Sequence, residues 1–140
     1  MLRLEISLED LERIVERRFD PVPLHISEGR LHAKKFGAEL ALGPVQCEVS
    51  RGMLVLPLEI VGAIGGALGR AAARAVIFSK LQKVRIPELS VDDARSALLL
   101  DSRLLLGRLG PGFADYHLSE LSFVDKEARG LVVLTLLSSS

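Results

Sequence analysis

PVQCEVS (residues 44–50) and MLVLPL (residues 53–58) flank Arg51-Gly52 and run straight into EIVGAIGGALGRAAARAVIFSKL (residues 59–81). The first two stretches alternate apolar and polar side chains, the pattern of strands with one buried face. A two-residue turn at Arg51-Gly52 sets Val45, Cys47 and Val49 opposite Leu58, Leu56 and Leu54, with Gln46, Glu48 and Ser50 on the other side. Cys47 then faces Leu56, and Glu48 faces Val55. From Glu59 the period becomes helical and predicts one long helix to about Leu81. Ala63, Ala67, Ala71 and Ala75 recur at i,i+4 beside Gly62 and Gly66, a small-residue stripe suited to close packing on a sheet or another helix.

Towards the N-terminus, LRLEI (residues 2–6) alternates as a strand, and Ser7 with Asp10 three residues on marks a helix start. Leu8, Leu11, Ile14, Val15 and Phe19 form the apolar side of that short amphipathic helix, which Asp20-Pro21 ends. VPLHIS and RLHAKK flank Glu28-Gly29 as a hairpin that pairs Ser27 with Arg30, Ile26 with Leu31 and His25 with His32.

Towards the C-terminus, KVRIPELSV and SALLLD read as a hairpin around residues 92–95, with Pro87 placing the first arm at an edge or a bulge. A short helix from Ser102 to about Arg108, capped by Asp101 or Ser102, stops at Gly110-Pro111-Gly112. YHLSELSFVD and GLVVLTLL make a last hairpin around residues 126–129, leaving residues 138–140 as a tail. The order strand, short helix, hairpin thus occurs twice, over residues 2–35 and 97–137, as a weak internal duplication. The expected fold is one α+β domain over residues 1–137. A strongly curved, mainly antiparallel sheet built from hairpins packs on the long helix (about 59–81) and the short N-terminal helix.

Eighteen basic and eighteen acidic side chains cancel, and neither sign clusters, so the chain has no global field to draw it onto nucleic acid. Aromatic residues make up 4% of the sequence, with no Trp and one Tyr, which leaves few platforms for stacking bases or sugars. The single cysteine, Cys47, cannot form an intramolecular disulfide, and MLRLEISLEDLERIVERR carries charges where a signal peptide needs an apolar stretch. A cytoplasmic location is expected. Residues 52–69 are nearly uncharged, but Glu59 and Pro57 interrupt them and Arg70 and Arg74 close them off, so no transmembrane segment is expected.

Gly62, Gly65, Gly66 and Gly69 follow an apolar strand and open a helix, the setting of a phosphate-cradling turn. Their spacing is neither GxGxxG nor GxxxxGK[ST], and close helix packing explains them more cheaply, so no cofactor is expected. His25 and His32 are cross-strand neighbours able to share a metal, but they stand among Ser27, Arg30 and Lys34 with no third ligand in sight, and no metal is expected either. Cys47 sits on an apolar face as a small hydrophobe. Asp92, Asp93, Asp101 and Asp115 fall where turns and caps favour Asp, His117 stands apart, and no GxSxG elbow occurs. The residues point to a protein that is not an enzyme, the alternative being a nucleotide-dependent enzyme that uses the turn from Gly62 to Gly69.

SALLLDSRLLLGRLGPGF (residues 96–113) followed by LSELSFVDKEARGLVVLTL (residues 118–136) resembles TULIP-like bacterial phospholipid-binding proteins, the family that includes the mycobacterial mannan-elongation factor. The N-terminal strand, helix and histidine hairpin also fit. The resemblance implies a half-barrel, a curved antiparallel sheet wrapped about a long helix, with an apolar groove between them for acyl chains. Members of that family are generally exported, whereas no signal is seen here. The expected groove takes Val45, Val49, Leu54, Leu56 and Leu58 from the sheet and Ile60, Ile64 and Leu68 from the helix, in a non-catalytic module for a lipid or other apolar ligand. The alternative is a homodimer or hetero-complex built through the small-residue helix or the last strand, with no small-molecule ligand.

Overall fold

The computed structural model describes residues 1–17, 22–35, 37–48, 52–84, 86–125 and 130–138. Its elements in order are β1 (Leu2–Ser7), α1 (Leu8–Glu16), β2 (Leu24–Ser27), β3 (Arg30–Lys35), β4 (Ala38–Leu42), β5 (Gln46–Glu48), β6 (Met53–Ala63), α2 (Gly66–Lys83), β7 (Leu89–Asp92), β8 (Ala97–Asp101), α3 (Ser102–Leu109), β9 (Tyr116–Val124) and β10 (Leu131–Ser138). The strands form two antiparallel sheets, neither of them closed: β1-β10-β9, and β2-β3-β4-β6-β8-β7 with β5 added beside β6. The α+β class and the antiparallel pairing are as the sequence implies.

The larger sheet is organised by the eleven residues of β6. Along one edge β8 pairs from Met53–Asp101 to Pro57–Ala97, while the other edge carries β5 and then β4. Between the pairs Leu42–Leu58 and Gln46–Val55, residues 43–45 face only residues 56 and 57, so β4 and β5 are one strand interrupted at Gly43-Pro44. The Gly43 N–H donates to the Pro57 carbonyl at 2.9 Å, and the Leu58 N–H donates to the Ser96 carbonyl at 2.8 Å on the opposite edge. Pro57 therefore turns its donorless nitrogen towards the interruption, the one place in a doubly paired strand where a proline costs no ladder bond.

Two expectations are corrected here. Cys47 pairs with Leu54 and Glu48 with Met53, a register two residues away from the tight turn at Arg51-Gly52. A shift by an even number keeps every side chain on its face, so Cys47 still lies on the apolar side. The long helix begins at Gly66, not Glu59, and ends at Lys83: Leu54, Leu56, Leu58 and Ile60 stay buried at period two, and β4 pairs along β6 as far as Ala38–Ala63. Ile64 and Gly65 make the turn, with Gly65 at φ 96°, a conformation that favours glycine. The small-residue stripe consequently faces outward. Ala73, Ile77 and Phe78 are the buried side chains of α2, and Ala67, Ala71 and Ala75 are exposed.

The histidine hairpin has the expected register, Ser27–Arg30, Ile26–Leu31 and His25–His32. β7 and β8 form the expected hairpin, although Lys83 belongs to α2 and Pro87 to the turn before β7. α1 ends at Glu16, and Phe19, Asp20 and Pro21 lie outside the described residues, as do residues 126–129 between β9 and β10. Ser138 is the last residue of β10 rather than the start of a tail.

The repeated order is present as β1-α1-β2-β3 and β8-α3-β9-β10. In both copies a strand passes directly into a capped helix: Ser7 Oγ accepts from the Asp10 N–H at 3.2 Å, and Asp101 Oδ1 accepts from Arg103 and Leu104 at 3.0 and 3.2 Å. Each leading strand joins the sheet that holds the other copy's hairpin, β1 beside β10 and β8 in the sheet of β2 and β3. One apolar cluster unites both sheets, joining Leu54, Leu56 and Leu98 to Leu121, Leu134 and Leu136, with Leu8, Phe78 and Leu106 from the three helices.

Two helical glycines predict opposite outcomes. A Cβ on Gly69 would collide with the Ile64 carbonyl, its carbon only 2.8 Å away, whereas one on Gly107 meets nothing within 4 Å. Gly69→Ala should lower stability by about 1–3 kcal/mol, and Gly107→Ala should raise it by about 0.5–1 kcal/mol, both measured by urea unfolding. Equal effects would contradict the packed β6–α2 turn.

Candidate functional site

The alternation that builds the larger sheet brings Leu58, Leu42, Leu31 and Ile26 into one cross-strand row, with Leu98, Leu40, Ala33 and Leu24 on the same face. α1 and the C-terminal half of α2 lie over this face without closing onto it. Between them is a partly open cavity of about 760 Å³. Its walls are Leu24, Leu31, Ala33, Leu40, Leu42, Leu58 and Leu98 from the sheet, Leu11 and Val15 from α1, Ile77 and Leu81 from α2, and Val22 and Val84. The other lining residues are Arg17, Lys80 and Lys83, all exposed, which places three cations at the mouth of an apolar chamber. Its size falls within the usual range for small-molecule sites, about 300–1,000 Å³.

Of the eight residues expected to form the groove, Leu58 lines this cavity. Leu54, Leu56 and Ile60 share its face of β6 but are buried in the packed core, and Val45 is half-buried against them. Val49 lies outside the described residues. Ile64 and Leu68 are corrected: they are 86% and 85% exposed, because Ile64 falls in the turn before α2 and Leu68 on its outward side. The walls missed come from the N-terminal hairpin, from β4 and from α1. The hairpin's period-two apolar residues were the available signal.

The opposite face of β2, β3 and β4 is polar. The His25 and His32 rings stack with centroids 4.7 Å apart, and β4 adds the third group that the sequence reading lacked. Glu39 Oε1 lies 3.8 Å from His25 Nε2 and 3.9 Å from His32 Nδ1. Beyond them Arg30 pairs with Glu59 at 2.9 Å.

A second, smaller cavity of about 400 Å³ opens beside Cys47, Tyr116 and His117. Burial pushes the Cys47 thiol above its ordinary pKa, a backbone hydrogen bond from Leu121 opposes this in part, and the Glu120 charge adds to it. Such a thiol is a poor nucleophile near neutral pH. Arg95 holds Glu48 at 2.9 Å on the neighbouring edge. Comparison with protein-family models, curated proteins and solved structures finds no match to this chain.

The raised thiol pKa gives a signed prediction. The folded chain holds the Cys47 proton more tightly than the unfolded chain, so this contribution is complete below the unfolded thiol pKa and is lost as pH rises through the folded one. The parent should therefore lose stability relative to Cys47→Ser on going from pH 7 to pH 10 in parallel urea titrations. Iodoacetamide should also label folded Cys47 more slowly than the unfolded chain at pH 8, and equal rates would contradict the burial.

Proposed function

We propose that the chain is a non-catalytic binding module for an amphiphile, its acyl tail in the cavity beneath α1 and α2 and its anionic head at Arg17, Lys80 and Lys83. The observation that carries this reading is the pairing of an apolar chamber of about 760 Å³ with exposed cations at its mouth. Leucine and valine walls favour a hydrocarbon tail through dispersion and the release of water, and they offer no hydrogen bond that would orient a polar body. Directionality is left to the mouth, where carboxylate or phosphate is the matching chemistry. On this reading the larger sheet with α2 laid along it is a half-barrel of the TULIP-like, phospholipid-binding kind. No described helix is long and apolar enough to cross a membrane.

The test uses the purified chain and a fluorescent fatty acid. Native mass spectrometry should show an extractable lipid or a one-to-one complex with the added probe. Lys80→Glu combined with Lys83→Glu should weaken binding about three- to tenfold, as expected for two solvent-exposed charge contacts, while an uncharged ester of the same chain length should be indifferent to the pair. Ala33→Phe, which fills the sheet side of the cavity, should abolish binding in a folded protein. Undiminished binding in Ala33→Phe would overturn the reading.

A second reading rests on the outward side of α2, where Leu68 and Val76 are exposed beside Ala67, Ala71 and Ala75, with Ile64 in the preceding turn. This side would meet the same side of a second copy. If so, Leu68→Glu should convert a dimer to folded monomer in light scattering, and an unchanged molar mass would exclude the contact.

A further inference from the structure

We propose that His25, His32 and Glu39 bind a divalent transition-metal ion of the zinc type on the polar face of the larger sheet. One ligand atom from each residue lies within 4.8 Å of the other two, on three adjacent strands whose register fixes the Cα positions. Donors around a tetrahedral ion with bonds near 2 Å sit about 3.3 Å apart. The two histidine–glutamate separations, 3.8 and 3.9 Å, need only a small side-chain adjustment to reach that spacing, and the stacked rings close by rotation about their own side-chain bonds.

The state without an ion leaves an unmet need. His32 Nδ1 is buried and has no hydrogen-bond partner among the described residues, and 3.9 Å is too long for it to donate to Glu39. A metal ion meets this need: it takes a lone pair from each imidazole and one from the carboxylate. Two imidazoles with one carboxylate suit zinc and its first-row neighbours rather than calcium or magnesium, which favour all-oxygen sets. Three protein ligands leave a fourth position for water on the exposed side, where His25 is half in solvent. Lys34, paired across the strands with Glu39, is the cation already nearest in register.

The ion would clasp β2, β3 and β4 from behind. Leu24, Leu31, Ala33 and Leu40, which alternate with the three ligands along those strands, wall the amphiphile cavity on the other face. The metal site does not depend on what fills that cavity.

The test uses the full chain freed of metal by a chelator and dialysed. Co²⁺ titration should give visible d–d bands saturating at one ion per chain, Zn²⁺ should displace it at the same stoichiometry, and Zn²⁺ should raise the melting temperature. Glu39→Gln, which keeps the side chain's shape, and His32→Ala should each weaken Zn²⁺ binding by roughly a hundredfold or more, since loss of mere supporting groups already costs 10–100-fold. His117→Ala and Cys47→Ser should leave it unchanged. No binding by the parent, or equal binding by Glu39→Gln and the parent, would overturn the site.

Discussion

The structure depends on hydrogen bonding along both edges of β6. A strand paired on one side only can slip or fray, but here β8 holds one edge while β5 and β4 together hold the other. A slip would have to break two ladders at once, and by one residue it would send Leu54, Leu56, Leu58 and Ile60 to the polar face. That constraint sets the plane of the larger sheet and decides which sides of β4, β3 and β2 are apolar. It also fixes where α2 begins, since the helix leaves β6 only through the glycine turn after Ala63.

The same alternation divides the sheet into two chemical surfaces separated by the thickness of one strand. Leu31 and Ala33 point into the cavity, and His32 between them points to the glutamate and histidine behind it. The repeated strand, helix, hairpin order adds a second tie, because the first strand of each repeat joins the sheet of the other repeat's hairpin. Neither copy can complete its sheet alone.

Much of this was legible in the residues. The histidine hairpin read correctly because Glu28-Gly29 is a strong two-residue turn flanked by clean alternation, and Glu28 does adopt the positive φ, 55°, that the turn needs. The α1 cap at Ser7 was legible, as was Asp101 as one of two candidate caps for α3, because both act within four residues of sequence. What was lost is β4. Ala38–Leu42 holds Glu, two Ala and no β-branched residue, so neither propensity nor composition marks it as a strand, and it is held by its neighbours on both sides. The omission had two consequences: with no partner for the end of β6, residues 59–63 passed for helix, and Glu39 went unseen beside the histidines. The cavity was misplaced for the same reason, since its wall could not be traced beyond β6.

The persistence of the cavity follows from where the helices are fastened. α2 is held at its start by the Gly69 N–H, which donates to the Gly65 carbonyl at 3.3 Å, and midway by Arg74, which pairs with Asp93 at 3.1 Å and lies 4.4 Å over the Phe78 ring. α1 is held at its first turn by Ser7 at the end of β1, a strand of the smaller sheet. These anchors lie away from the wall of β2, β3 and β4. The helices span that wall from fixed points, and short side chains such as Ala33 cannot draw them in. Among the sheet leucines of the wall, Leu40 and Leu42 stay half-buried, with room for further partner atoms on the cavity side. On the proposed reading, a hydrocarbon tail would supply those contacts to the apolar wall.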